Sequence, residues 1–174
     1  MLDNPARKLN QKTSSQALMQ FKLSMRKYAA AAALAGLCGL CTSAFAQTAA
    51  QPRLDTITLS AGMQNIRAEV ARTSLQMQTG MMFRREMGTH EGMLFVYDTP
   101  AIRCFWMKNT LLPLSIAFIA DDGQIVNIAE MQPQSEASHC SKLPVRYALE
   151  MNQGWFAKRH IEAGFKLKGA PFGP

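Results

Sequence analysis

The stretch Leu114–Met131, LSIAFIADDGQIVNIAEM, decides how this chain is read. Two apolar runs flank Asp121-Asp122-Gly123. Asp-Gly between such runs is a strong short-range hairpin signal, because glycine supplies the positive φ that a tight turn needs. The spacing therefore predicts two antiparallel strands. Upstream, Pro113 holds Leu112 extended and has no N–H for a ladder, so NTLLP must be a loop or turn. IRCFWMK before it reads as another strand. Further back, MLFVY (Met93–Tyr97) reads as a buried strand ended by Asp98-Thr99-Pro100.

The outer segments fit the same class. RLDTITLSAG carries Leu54, Ile57 and Leu59 into a Ser-Ala-Gly turn. MQNIRAEVA alternates Ile66, Ala68 and Val70 with Asn65, Arg67 and Glu69, the period of two expected of a half-buried strand. TSLQMQTGMMFR opens with Thr73 or Ser74 as a helix cap and places Leu75, Met77, Met81 and Met82 at helical spacing. Gly80 costs such a helix about 1 kcal/mol against Ala, which points to a close neighbour. Arg84–Gly92 is a polar loop and Gln132–Pro144 a loop carrying Cys140. VRYALEM is a strand, NQGWFAKRHIEAG a turn and short helix, and FKLKG a last strand. The reading is a β-rich α+β domain: short, mostly antiparallel strands in a small barrel-like sheet, with one or two short helices. Near-closure would limit the exposed edges of so many short strands.

The first 46 residues read differently. Arg7, Lys8, Lys12, Lys22, Arg26 and Lys27 precede the apolar run Ala29–Leu40, AAAAALAGLCGL, and Ala44 and Ala46 occupy the small positions of an A-x-A cut. That order is a secretory signal peptide, and the run is shorter than the ~20 residues that span a bilayer. Met25, just before Arg26-Lys27-Tyr28, is a second candidate start, which makes residues 1–24 an N-terminal extension. The expected organisation is a signal over 1–46 cut between Ala46 and Gln47, a flexible leader over 47–53, one globular domain over 54–170 and a tail over 171–174. Cys38 and Cys41 follow Leu37 and Leu40 rather than the small neighbour of a lipidated cysteine, so no membrane anchor is expected after cleavage. The location is then periplasmic or secreted.

Removing 1–46 changes the charge. The whole chain is +7, with 19 basic and 12 acidic residues; six of the basic ones and one acidic one lie in the signal, which leaves +2. No basic block remains, and nucleic acid is dropped as a partner. Two cysteines also remain, Cys104 and Cys140. In an oxidising compartment they read as a disulfide, with a reactive thiol or a metal pair as the alternatives.

The segments GMMFRREM, EGMLFVYD, CFWMKNTLLPLSIAFIADDGQIVNI and RYALEMNQGWFAKRHIEAG, in this order, resemble the domain of unknown function 192 family of small prokaryotic proteins, many of them exported. The resemblance runs from about Thr56 to Lys168, and FWMKNT-x-x-PL is its most specific part. It implies a β-rich α+β fold and no established activity. The family usually has Asp after Pro-Leu; here the residue is Ser115, which counts against an acid–base role for the motif.

Candidate chemistry centres on Cys104–Thr110, CFWMKNT. An alternating strand puts Phe105 and Met107 on one face, and Cys104, Trp106 and Lys108 on the other. Both faces are apolar up to Lys108, so Cys104–Met107 reads as covered on both sides. Lys108, Asn109 and Thr110, beside Trp106, form either a polar rim for a small anionic or carbohydrate-like ligand or a strand end in which Asn and Thr make a turn. Arg84 could join that rim, or be an ion-paired helix end, as could Arg85. Glu150 could partner either cation, or be an outward residue of its strand. The resulting expectation is a non-catalytic domain binding such a ligand or an envelope partner. A hydrolase-type enzyme using the Lys108-Asn109-Thr110 rim is the alternative. Nine of the 12 methionines follow residue 46, and Met77 and Met81 lie one helical turn apart, so a Met/His copper binder with His90 and His139 is a second alternative. There is no dense Met or His cluster, and no cofactor or resident metal is expected. His139 adjoins Cys140 only in sequence, which does not give nucleophile–base geometry.

Overall fold

The central hairpin forms around Gly123, whose φ of +85° is the left-handed conformation the turn requires. Asp122 Oδ1 accepts from Gln124 N at 3.0 Å, and Gly123 N donates to Ala120 O at 3.0 Å. In this computed structural model, which describes residues 49–172, the hairpin joins β5 (Leu114–Ile119) to β6 (Ile125–Met131). The signal segment, the Ala46–Gln47 cut and the last two residues lie outside the described residues.

The other strands are β1 (Thr56–Ala61), β2 (Gln64–Ala71), β3 (Glu91–Ala101), β4 (Cys104–Phe105), β7 (His139–Cys140) and β8 (Val145–Asn152). Six of these eight strands, β5 and β6 included, form one sheet in the order β1-β2-β3-β8-β5-β6, and β4 pairs with β7. Only β2 and β3 run parallel; the other pairs are antiparallel. A parallel pair needs a crossover, and here it contains helix α1 (Ser74–Thr79). Thr73 caps that helix as read. Its Oγ1 accepts from Gln76 N, and Gln76 Oε1 accepts from Thr73 N. Gly80 closes the helix at φ +46°, and a β-carbon there would lie 3.2 Å from Phe95 Cζ. The close neighbour that Gly80 implied is Phe95.

The fold class is as read: β-rich, mostly antiparallel, with α1 and one 3-10 turn (Ala157–Arg159) as the helices among the described residues. Two details differ. The sheet is not a closed barrel. FKLKG makes isolated bridges instead of a regular strand: Lys168 pairs with Ser60 on β1, and Lys166 with Gln124 beside β6. The segment thus spans the gap between the two edge strands. β3 also continues through Asp98-Thr99-Pro100 to Ala101, with a register shift after Val96 that accommodates the proline.

The sheet separates two cores. One face buries Leu59, Ile66, Leu94, Ile119, Tyr147 and Leu149 under the C-terminal segment, which contributes Trp155, Phe156, Leu167 and Phe172. The other face buries Met93, Phe95, Ile116, Phe118 and Ala148 under Met81 and Met107. This two-sided burial explains why LSIAFI is a continuous apolar run: every residue of β5 is buried. Phe172, from the expected tail, is also core, with its ring edge-on to Tyr147 at 5.0 Å. Near the other end, Gln51 Nε2 donates to Gly80 O at 2.9 Å, and Arg53 pairs with Glu69 at 2.8 Å. The sequence gives these leader residues no reason to order; their partners come from distant elements.

Cys104 and Cys140 form a disulfide and stand opposite each other in the β4–β7 pair. Closing a loop of that separation, 36 residues, stabilises the fold by roughly 3–4 kcal/mol in the chain-entropy account.

Candidate functional site

The CFWMKNT segment is covered on one face only, not on both. Met107 is fully buried and Phe105 half-buried, whereas Cys104 and Lys108 are exposed and Trp106 is 47% exposed. Regular strand lasts for Cys104–Phe105 alone. The partner strand β7 is itself two residues long, and among the described residues it leaves the outer face beyond it uncovered.

The polar trio builds a turn. Asn109 takes φ +57°, a conformation asparagine tolerates better than most residues. Its carbonyl accepts from Phe83 N at 2.8 Å, which fastens the exit of α1. Thr110 N donates to Met107 O, and Thr110 O accepts from Gln134 N at 3.1 Å. Lys108 points outward, with Nζ 3.4 Å from Glu136 and 5.2 Å from the Trp106 ring centroid. Such an exposed ion pair contributes at most about 1 kcal/mol.

Next to this turn lies a cleft of about 520 Å³. Helix α1 and its exit supply Met77, Gln78, Thr79, Gly80, Met81 and Met82. Strand β3 supplies Phe95 and Tyr97, the β4 segment Phe105 and Trp106, and the turn Thr110. Phe105 meets Phe95 edge-on at 4.8 Å and Phe118 at 5.9 Å, which fixes the aromatic wall. Glu150 of β8 completes the lining.

Glu150 is 4% exposed, and its Oε2 has no hydrogen-bond partner. Its cross-strand neighbours are Met93 on β3 and Ile116 on β5, which offer no donors from their side chains. Burial alone pushes its pKa up to about 8. At neutral pH this carboxyl is therefore mostly protonated. Tyr97 is raised above its ordinary value as well, first by burial, against the opposing charge of Arg103 and with a smaller push from Glu150.

A second buried glutamate stands in the same row of the sheet. Glu69 on β2 pairs with Met93, and Met93 pairs with Glu150. Glu69 accepts from Arg84 at 2.9 Å, from Arg53 at 2.8 Å and from Leu54 N at 2.8 Å. Arg84 is 6% exposed, so this pair is internal. Arg67 and Glu91 pair at the outer end of the same corner, which holds Glu91 below the usual carboxylate range, first through the Arg67 hydrogen bond.

Of the residues singled out from sequence, Trp106, Thr110 and Glu150 line one cleft. Lys108, Asn109 and Arg84 are not part of that lining. Glu150 partners neither cation. Met77, Phe95, Tyr97 and Phe105 join the site without a sequence signal of their own beyond apolar patterning. Met77 and Met81 share the cleft wall, while His90 meets Trp155 edge-on and His139 lies in β7. Among the described residues no three His, Cys, Asp or Glu side chains gather as a metal site. Ser115 is fully buried, with Oγ 2.7 Å from Glu130 Oε2, and it accepts from Gly154 N at 2.8 Å. Its hydroxyl and the Glu130 carboxylate together hold the turn after β8.

Two solved structures share this fold. One, a Sinorhizobium meliloti protein provisionally described as a transcription regulator, is 35% identical with a TM-score of 0.65, over 69% of this chain and 98% of that one. The other, a protein of unknown function from Novosphingobium aromaticivorans, is 35% identical with a TM-score of 0.64, over 75% of this chain and 99% of that one. No curated protein matches the chain significantly. The family described as an uncharacterized ACR, domain of unknown function 192, matches residues 56–169. That match takes in both glutamates, the cleft and the disulfide, and the chain belongs to this family.

Proposed function

We propose that the protein is an exported, periplasmic or secreted, non-catalytic binding domain whose ligand is a small molecule held in the cleft beside Trp106. The observation that carries this reading is a cleft of about 520 Å³ with an aromatic and thioether wall and one buried carboxyl oxygen, Glu150 Oε2, left without a partner. A pocket with a largely apolar lining and few convergent polar groups is the usual form of a small-molecule site. The cations that could meet an anionic ligand are engaged elsewhere, Arg84 by Glu69 and Lys108 by Glu136. The cleft therefore favours a ligand with an aromatic or aliphatic body, or the apolar face of a carbohydrate, over an anion. The signal-like first 46 residues and the disulfide support export. The regulator description of the Sinorhizobium relative finds no basic block here to support it.

One observation favours a second reading, a small enzyme: a cleft carboxyl with a pKa near 8 is suited to donate a proton at neutral pH. Among the described residues no second ionisable carboxyl lines the cleft to act with it, so binding is preferred. Thermal denaturation against a metabolite library separates the two. A binding domain shows a ligand-dependent rise in Tm that Trp106→Ala weakens, with no turnover. Turnover that disappears in Glu150→Gln while the protein stays folded makes it an enzyme. Exported protein should begin at Gln47 on N-terminal sequencing; retention of Ala29–Leu40 overturns the export reading.

A further inference from the structure

The cleft has an uncompensated electrostatic character. Glu150 Oε2 is buried and unpartnered, and among the described residues no Lys, Arg or His contributes to the lining. Around it stand the rings of Phe95, Tyr97, Phe105 and Trp106 and the thioethers of Met77 and Met82. Ring faces carry partial negative charge and attract cations, more strongly where water is excluded. The surface already uses this preference, since Lys108 Nζ lies 5.2 Å from the Trp106 centroid. An anion would meet a carboxyl and ring faces, and the one guanidinium at these rings, Arg103, is already seated on the Tyr97 face, 3.8 Å from its centroid. A neutral ligand could take one hydrogen bond from the acid and gain nothing further from the ring quadrupoles. An ammonium ion satisfies both features at once.

We propose that the ligand of this cleft is an organic cation, an ammonium group on an aromatic or aliphatic body, with the ammonium on Glu150 Oε2 and the body against Phe105 and Trp106. This rests on the cleft reading above and specifies its ligand class. In the free protein Glu150 is held neutral; an arriving ammonium stabilises the carboxylate, so the Glu150 proton leaves to the buffer as the ion pair forms. Glu69 shows the same chemistry completed internally: there the chain supplies its own cations, Arg84 and Arg53. Few other groups could produce the pH dependence. Tyr97 on β3 is the other titratable side chain in the described lining; burial raises it above its ordinary value, and Arg103, packed 3.8 Å from its ring centroid, opposes that rise. Helix α1, β4 and β5 bring no acid or base to it, and at the rim Lys108 is paired with Glu136.

The test uses three probes sharing a phenylalkyl body: 4-phenylbutylamine, 4-phenylbutan-1-ol and 4-phenylbutanoate. Binding is followed by NMR of the Trp106 indole and by calorimetry in two buffers of different ionisation enthalpy. The amine should bind tightest, with about one proton released, and its affinity should rise roughly tenfold per pH unit between pH 6 and 8. An alkylammonium keeps its charge over that range, with a pKa of about 10. Glu150→Gln should cost the amine at least about tenfold, with little change for the alcohol. Trp106→Ala, at a half-exposed position that does not threaten folding, should weaken the amine several-fold. The ligand class is overturned, with the cleft reading intact, if the alcohol or the acid shifts Trp106 at lower concentration than the amine, or if Glu150→Gln binds the amine unchanged. If none of the three perturbs Trp106 at millimolar concentration, both readings fall together.

Discussion

Glu69 and Glu150 stand in one row of the sheet with only Met93 between them, and they are almost equally buried, at 5% and 4% exposure. The Glu69 corner is finished. Two arginines and a backbone N–H point at its carboxylate, and Arg84 is buried with it. The Glu150 cleft is unfinished. Its acid faces rings, thioethers and open space, and burial alone sets its ionisation. Equal burial thus gives two opposite chemistries, because what a carboxyl becomes depends on the donors that reach it. The corner is structural, and the cleft is where a ligand has something to complete.

Four experiments break or sharpen that contrast. The largest effect belongs to the finished corner. Glu69→Ala leaves Arg84 buried without its carboxylate, which should cost about 3–5 kcal/mol in chemical denaturation. A loss below about 1 kcal/mol would mean that Arg84 finds another partner and the corner is not closed as described. Replacing both Cys104 and Cys140 by Ser should cost roughly 3–4 kcal/mol. It should also loosen the cleft more than the corner, because Cys104 lines only the former. Hydrogen exchange would show this as faster exchange at Phe105–Met107 than at Val70–Ala71; equal change at both places would deny the link.

Glu150 predicts a pH dependence of unusual sign. Its folded pKa, about 8, lies above its unfolded value of about 4.3. Between those values the unfolded chain has lost this proton and the folded protein still holds it. Its contribution to stability is therefore full below about pH 4 and is lost as pH rises toward 8. Relative to Glu150→Gln, the native protein should lose up to about 1.4 kcal/mol per pH unit across pH 5–7. Parallel stability curves for the two proteins would show that Glu150 is solvated or paired. The smallest effect is that of Trp106→Ala, which should change stability by less than about 0.5 kcal/mol, since the ring is half-exposed and at the rim. A large loss there would make Trp106 part of the core instead of the cleft's open wall.

Much of this fold was legible in the chain. The Asp-Gly turn, the Thr73 cap, the alternation in Asn65–Val70 and the apolar run of β5 each act over a few residues, where local propensity and pattern suffice. The segment at Cys104–Met107 reads as covered on both faces, because apolar residues on alternating sides do not reveal that a partner strand is two residues long. The same limit applied to Phe172, whose place in the core depends on a chain reversal far from β8. Trp106, Thr110 and Glu150 could be singled out as chemistry-bearing residues. That they meet one another, and that Arg84 and Lys108 turn away to Glu69 and Glu136, could not.

The sequence by itself determined the family, the strand and turn pattern and the need for a close neighbour at Gly80, because each follows from residue type and short-range spacing. Only the tertiary structure decided that Glu69 receives two arginines while Glu150, one strand beyond Met93, receives none. Ion pairs and desolvation depend on distances between residues far apart in the chain, such as the 15 positions separating Arg84 from Glu69. Those distances exist only once β2, β3 and β8 lie side by side.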